Sequence, residues 1–163
     1  MTLVVRPAQI SDIDWLLAQL KEFAAFDLAK ISMWGGPHDQ KIATLTNLIQ
    51  NHVLLICEKE TEPDELGKSG WIPVGMICGS LHRHIFNSNI RCLTEYFWWV
   101  DPAYRNSRAG ILLFKEFELY GKELADWVTF SLLENSPDFS GYLEKNGFRL
   151  CEKSYLKENL KEG

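Results

Sequence analysis

The sequence predicts a mixed α/β domain of the α+β kind, in which about four helices flank a largely antiparallel sheet of about six to seven strands. Three features carry that prediction. Apolar, β-rich runs follow one another through the middle of the chain, at 52–58, 72–81 and 90–100, with only loops or turns between them. Helical periodicities stand on either side, at 13–24, 39–51 and 111–125. The 163 residues suit a single domain, 1–163, and their 46% hydrophobic and 12% aromatic content supplies a core without disulfides or a structural metal.

Taken in order, Leu3-Val4-Val5-Arg6 reads as a short strand ended by Pro7. Ser11 and Asp14 form a cap-like pair before a helix carrying Ile13, Leu16, Leu17, Leu20, Phe23 and Ala24 on one side. Gly35-Gly36-Pro37 breaks the chain, and Asp39 then caps a second helix to about Asn51, with Ile42, Leu45, Leu48 and Ile49 on its apolar face. His52–Glu58 is a buried strand, and the charged segment Lys59–Gly70 is a loop. Ile72–Leu81 and Ile90–Val100 form a hairpin about a polar turn near Asn87-Ser88-Asn89. Ile111–Ala125 is an amphipathic helix and Trp127–Leu132 a short strand. Asp138–Lys145 is a helix stopped by Gly147 in a left-handed cap. Phe148–Cys151 and Ser154–Leu156 complete the sheet, and Lys157-Glu158-Asn159-Leu160 reads as a frayed end.

The net charge of −5 leaves no electrostatic footprint for nucleic acid. It leans weakly toward a cationic small molecule. Cys57, Cys78, Cys92 and Cys151 are scattered, form no CxxC pair and lie near no histidine at zinc-like spacing. His82 and His84 share a strand face but lack a third ligand, so exposed strand histidines are expected and no metal. Met1–Pro7 lacks a basic stretch followed by an apolar one, and no uncharged apolar run approaches a membrane span. The expectation is a soluble cytoplasmic domain without a membrane or nucleic-acid partner.

The stretch Trp98–Leu113 holds the chemistry. A strand ends at Pro102, a polar loop carries Arg105, Asn106, Ser107 and Arg108, and a helix opens at about Ala109. The first turn of a helix presents unpaired N–H groups and the positive end of its dipole, which suits phosphate oxygens. Two arginines add charge-assisted donors, and Gly110 admits a ligand close to the backbone. The same composition also suits a plain solvated surface loop.

This loop resembles motif A of the GNAT N-acetyltransferase superfamily, in which a strand ending Val-x-Pro-x-x-Arg runs into a glycine-rich helix start. Val100, Pro102, Tyr104, Arg105 and Gly110 match, while Arg108 replaces the first glycine. Arg108 either keeps the amide contact and adds its guanidinium to a pyrophosphate, or blocks the loop. Leu143-Glu144-Lys145-Asn146-Gly147-Phe148 is similar to motif B except for Leu143, where the family has tyrosine. Val5-Arg6-Pro7-Ala8 with Asp12-Ile13 resembles the family's opening strand and helix.

The resemblance implies a GNAT fold and transfer of the acetyl group of acetyl-CoA, a co-substrate, to a primary amine on a small molecule or peptide. It implies cofactor contacts at Trp99, Val100, Arg105, Asn106, Ser107, Arg108, Ala109, Gly110 and Asn135. The strand ending at Val100 and the strand Val128–Leu132 would splay apart beyond a bulge, and an amide of Trp99 or Val100 would polarise the thioester carbonyl. The amine attacks directly, so no cysteine need be a nucleophile.

Glu95 is the candidate base, a carboxylate in an apolar strand where burial raises its pKa. Otherwise it is an edge residue paired with Arg91 or Arg83. Alternation places Glu95, Phe97 and Trp99 on one face, with Tyr96 and Trp98 on the other. Tyr142, one position before the family's tyrosine, is the candidate acid, with water as the alternative. Trp34 is the candidate acceptor contact, in a region with Phe23, Phe26 and the Met33–Pro37 turn. Two competing readings are a module of the same fold that holds CoA or a partner without turnover, and a structural or interaction protein whose strand Tyr96–Trp99 pairs with another subunit; a homodimer is also expected as an option.

Overall fold

A computed structural model describes residues 1–25, 34–157 and 159. Phe26, Met33, Glu158 and Leu160 lie outside these. Among the described residues a five-stranded sheet runs in the order β1-β2-β3-β4-β5. Its strands are β1 (Leu3–Pro7), β2 (Val53–Glu60), β3 (Trp71–His84), β4 (Asn87–Val100) and β5 (Trp127–Thr129). The first four are antiparallel neighbours, and β5 lies parallel to β4. Helices α1 (Ile13–Ala24) and α2 (His38–Asn51) cover one face, α3 (Ala109–Leu124) covers the other, and α4 (Ser140–Lys145) follows β5.

The continuous apolar run of β2 is explained by this sandwiching. Leu54 and Ile56 enter the core beneath α1 and α2, whereas Val53, Leu55 and Cys57 enter the core beneath α3. Helix α3 buries Ala109, Leu113, Phe114, Phe117 and Gly121, a stripe at helical spacing. It sits close to the sheet because glycines receive it. A Cβ on Gly79 would stand 2.5 Å from the Phe117 ring, and one on Gly121 would stand 2.6 Å from Val128.

Several expected details are replaced. The first helix is not capped by Ser11 and Asp14. Asp12 accepts the Gln9 amide at 2.7 Å and is held by both guanidinium nitrogens of Arg6, at 2.8 and 2.9 Å. Arg6 also reaches Glu58 at 2.7 Å, tying β1, the turn before α1 and β2 together. Helix α2 opens at His38 behind Pro37, without a side-chain cap. The hairpin turn is Ile85-Phe86 rather than the polar Asn87-Ser88-Asn89, since His84 pairs with Asn87.

The strands expected at Phe148–Cys151 and Ser154–Leu156 are not formed, which leaves five strands among the described residues in place of six to seven. With only three residues, β5 offers little edge to pair with, and Leu150 and Tyr155 remain 75% and 93% exposed. Gly147 does take the left-handed conformation, at φ 87°. The Phe148 amide donates to the Leu143 carbonyl at 3.1 Å and the Gly147 amide to that of Glu144 at 3.1 Å. These two bonds close a Schellman stop, the physical content of the Leu-Glu-Lys-Asn-Gly-Phe motif. No helix among the described residues is long and apolar enough to cross a membrane.

Candidate active site

The site grows from an opening in the sheet. β5 pairs with β4 only at Cys92–Trp127, Leu93–Val128 and Thr94–Thr129. β4 then continues through Glu95–Val100, so the two chains form a fork whose β4 side presents backbone groups outside the ladder. The ladder itself says which groups these are. The Asp101 amide donates to the Val74 carbonyl at 2.9 Å, so Asp101 faces β3. Antiparallel pairs alternate between bonded and non-bonded, which turns Trp99 toward β3 and Trp98 and Val100 toward the fork. In agreement, the Val100 carbonyl accepts Arg105 Nε at 3.2 Å rather than serving the sheet. Of the two amides considered for the thioester carbonyl, geometry assigns the fork to Val100.

A bulge lies at the mouth of this fork. Cys78 pairs with Phe97 and Gly79 with Glu95, leaving Tyr96 without an opposing residue. The expected alternation therefore fails at Tyr96. Glu95 does not share a face with Phe97 and Trp99; its register partner Gly79 belongs to the α3 face, where Trp98 also packs. Phe97 and Trp99 enter the core beneath α1 and α2.

Glu95 is 7% exposed, and its Oε2 accepts the Ser131 amide across the fork at 3.2 Å. Burial pushes its pKa up from the ordinary 4.5 to about 7, with the Ser131 amide opposing the rise. It is not the edge residue paired with Arg91 or Arg83. Arg91 pairs with Asp126 at 3.1 Å, and Arg83 adds its field to the same carboxylate. Beside Glu95 the last ladder pair is joined through side chains. Thr129 Oγ1 donates to Thr94 Oγ1 at 3.2 Å, and His82 Nε2 lies 2.8 Å from Thr94 Oγ1. This polar line at the root of the fork has no motif in the sequence; only the parallel pairing of β5 brings the two threonines together.

The loop after β4 is tightly organised. Asp101 accepts the Ala103 amide at 2.9 Å, Ser107 Oγ donates to the Tyr104 carbonyl at 2.6 Å, and the Ala109 amide donates to Ser107 Oγ at 3.2 Å. Among the described residues the amides of Gly110 and Ile111 meet no acceptor, as the first turn of a helix requires. Arg108 takes the cap position at φ −83°, an ordinary conformation, so an arginine replaces glycine there without strain. Arg108, with Asn106 and Ser107, borders a depression of about 340 Å³ beside Met1 and Leu3. Arg105 stacks over the Trp99 ring at 4.4 Å. Gly110 faces Trp98 and Val100, where an added Cβ would make contacts of 3.6–3.9 Å. Packing within the protein therefore does not require that glycine.

Tyr142 and Asn135 are farther along. Tyr142 is half-buried and its ring meets Phe114 edge-on at 5.3 Å, within an aromatic group that also holds Phe130 and Phe148. Asn135 is exposed in the turn that Ser136 closes by donating to the Leu133 carbonyl. Leu143, one residue after Tyr142, is buried and anchors the helix stop.

Under α1 and α2 opens a cavity of about 380 Å³ bordered by Trp34, Lys41, Leu17, Leu20, Leu48 and Phe97. The Lys41 ammonium lies 4.2 Å from the centre of the Trp34 ring. Phe23 packs against Phe97 and Trp99 at 6.3 and 5.8 Å. His82 and His84 turn to different partners, Thr94 and the Trp127 ring, and no group of three ligand-type side chains occurs among the described residues. Burial raises the Cys57 thiol to about 11 and the Cys78 thiol higher still, which keeps both protonated near neutral pH.

No family model matches the chain, and no curated protein does. Solved structures match it over nearly its whole length. An acetyltransferase of Trypanosoma brucei is 17% identical with a TM-score of 0.64, covering 96% of this chain and 99% of its own. A transcriptional regulator of Bacillus halodurans is 15% identical with a TM-score of 0.69 at the same coverage, 96% and 99%. Glucosamine-6-phosphate N-acetyltransferase of Arabidopsis thaliana is 16% identical with a TM-score of 0.62, covering 98% and 99%. The forked sheet, the loop before α3 and these superpositions together give this chain the fold of the GNAT acetyltransferases.

Proposed function

We propose that this protein transfers the acetyl group of acetyl-CoA to a primary amine by direct attack. The observation that carries the reading is the fork itself, with a buried carboxylate of raised pKa at its mouth and a helix N-terminus at its end. The unspent amides of Gly110 and Ile111, with Arg108 beside them, suit the pyrophosphate. Trp98 and Val100 offer backbone groups along the fork to an extended pantetheine, and the Val100 N–H meets the thioester oxygen. Glu95 takes a proton from the incoming ammonium, whose free nitrogen then attacks the carbonyl carbon. The C–S bond breaks, the departing thiolate takes a proton from Tyr142 or water, and the excess proton left on the nitrogen returns to that donor. That two of the three structural neighbours are named as acetyltransferases supports the same reading.

The alternative, a CoA-binding module without turnover, draws on Tyr142, whose ring is committed to packing on Phe114. Two measurements separate them. Acetyl-CoA at a hundredfold excess over its Kd should add about 2.7 kcal/mol to stability, roughly 5–10 °C in Tm, whereas adenosine should add little. Thiol release from acetyl-CoA across an amine panel should occur with the native protein and fall sharply in Glu95→Gln. Absence of any thermal shift sinks both readings; a shift without thiol release leaves the module.

A further inference from the structure

The cavity under α1 and α2 carries information about the acceptor that net charge does not. Its walls are mainly Leu17, Leu20, Leu45, Leu48, Phe97 and Trp34, with Gln40 and Thr44 the neutral polar side chains and Lys41 the charged one among its described lining residues. At about 380 Å³ it falls in the range of small-molecule sites. Phe97, which lines it, stands two positions along β4 from Glu95, across the bulge at Tyr96.

Resting on the acetyl-transfer reading above, we infer that the acceptor is a monoamine with an apolar or aromatic body and one carboxylate, which Lys41 binds, rather than a polyamine or aminoglycoside. A polycation entering this cavity would give up water along leucine and aromatic walls and meet an ammonium of its own sign. An apolar body gains from the same walls. The stack on Trp34 keeps the Lys41 charge favourable inside an apolar rim while leaving its N–H donors available to a carboxylate. The overall charge of −5 is spread over the surface, where solvent and salt screen it, whereas Lys41 acts at contact distance.

The test compares α-amino acids bearing aromatic or branched apolar side chains, the matching amines without the carboxylate, and spermidine. Thiol release should favour the carboxylate-bearing member of each pair at least about tenfold in kcat/KM. Lys41→Met should erase that preference through KM, and Lys41→Arg should keep most of it. Calorimetric titration of the same amino acids into the protein saturated with CoA reads the cavity without turnover. Binding there, weakened about tenfold or more in Lys41→Met, supports the inference even if thiol release fails, which would count against acetyl transfer alone. Spermidine as the best acceptor overturns the inference. So does a carboxylate preference untouched in Lys41→Met, or no calorimetric binding of any amino acid.

Discussion

Replacing Glu95 by glutamine should change how stability depends on pH, by an amount that follows from its surroundings. Burial holds its carboxyl at about 7 in the folded protein against the ordinary 4.5. Between those values the folded state binds a proton that the unfolded state has released, so folding stability falls as pH rises. Below 4.5 both states are protonated and the group contributes nothing; above about 7 the full cost of the buried charge is present. At about 1.4 kcal/mol per tenfold change in proton affinity, that cost is about 3 kcal/mol. Glutamine resembles the protonated acid and cannot ionise, so the variant escapes the loss. Urea denaturation of both proteins at intervals from pH 4.5 to 7.5 measures the difference between the two curves. Asp12, which Arg6 holds below the ordinary carboxylate range, loses its stabilising effect at acid pH, but it does so in both proteins and cancels. The native protein should lose about 3 kcal/mol relative to Glu95→Gln across this window. Two curves parallel to within about 0.5 kcal/mol would refute the buried, uncompensated carboxylate, and with it the base assigned to the fork. In acetylation assays the native rate should rise through about pH 7 as this group ionises, a limb absent from the variant.

Two glycines of α3 and its sheet should respond in opposite ways. Gly79→Ala places a methyl 2.5–2.9 Å from Phe117 and Leu93, and overpacking of this kind costs about 1–3 kcal/mol in a urea titration; an unchanged midpoint would show that the ring yields freely. Gly110→Ala meets only ordinary contacts at 3.6–3.9 Å and lies in a helix, so Tm should hold or rise, by up to about 1 kcal/mol in stability. The acetyl-CoA-induced shift should nevertheless shrink in that variant. A full shift would remove Gly110 from the cofactor site.

Much of what depends on residues close in sequence was readable without a structure, although the helix caps and the hairpin turn were not. The helical stripes of α1 and α3, the strand–loop–helix around Arg105–Gly110, and the left-handed stop at Gly147 arise from spacings of a few residues and from backbone geometry. Glu95 stood out for the same reason, as one carboxylate in an apolar run. What the chain alone could not decide was anything set by a partner strand. The bulge at Tyr96 depends on how β4 registers against β3, and a shift of one residue reverses which face each later side chain occupies. The same register assigns the fork to the Val100 amide in place of Trp99, since bonded and non-bonded pairs alternate only relative to β3. Phe148–Cys151 and Ser154–Leu156 have strand-like composition, yet a strand needs an edge, and β5 ends at Thr129. Lys41 was one of several helix-surface lysines until packing of α2 against α1 set it at the rim of an apolar cavity. Local pattern set most of the elements and the loop; long-range register and packing decided which amide faces the fork, which face each side chain takes and which charge borders the cavity.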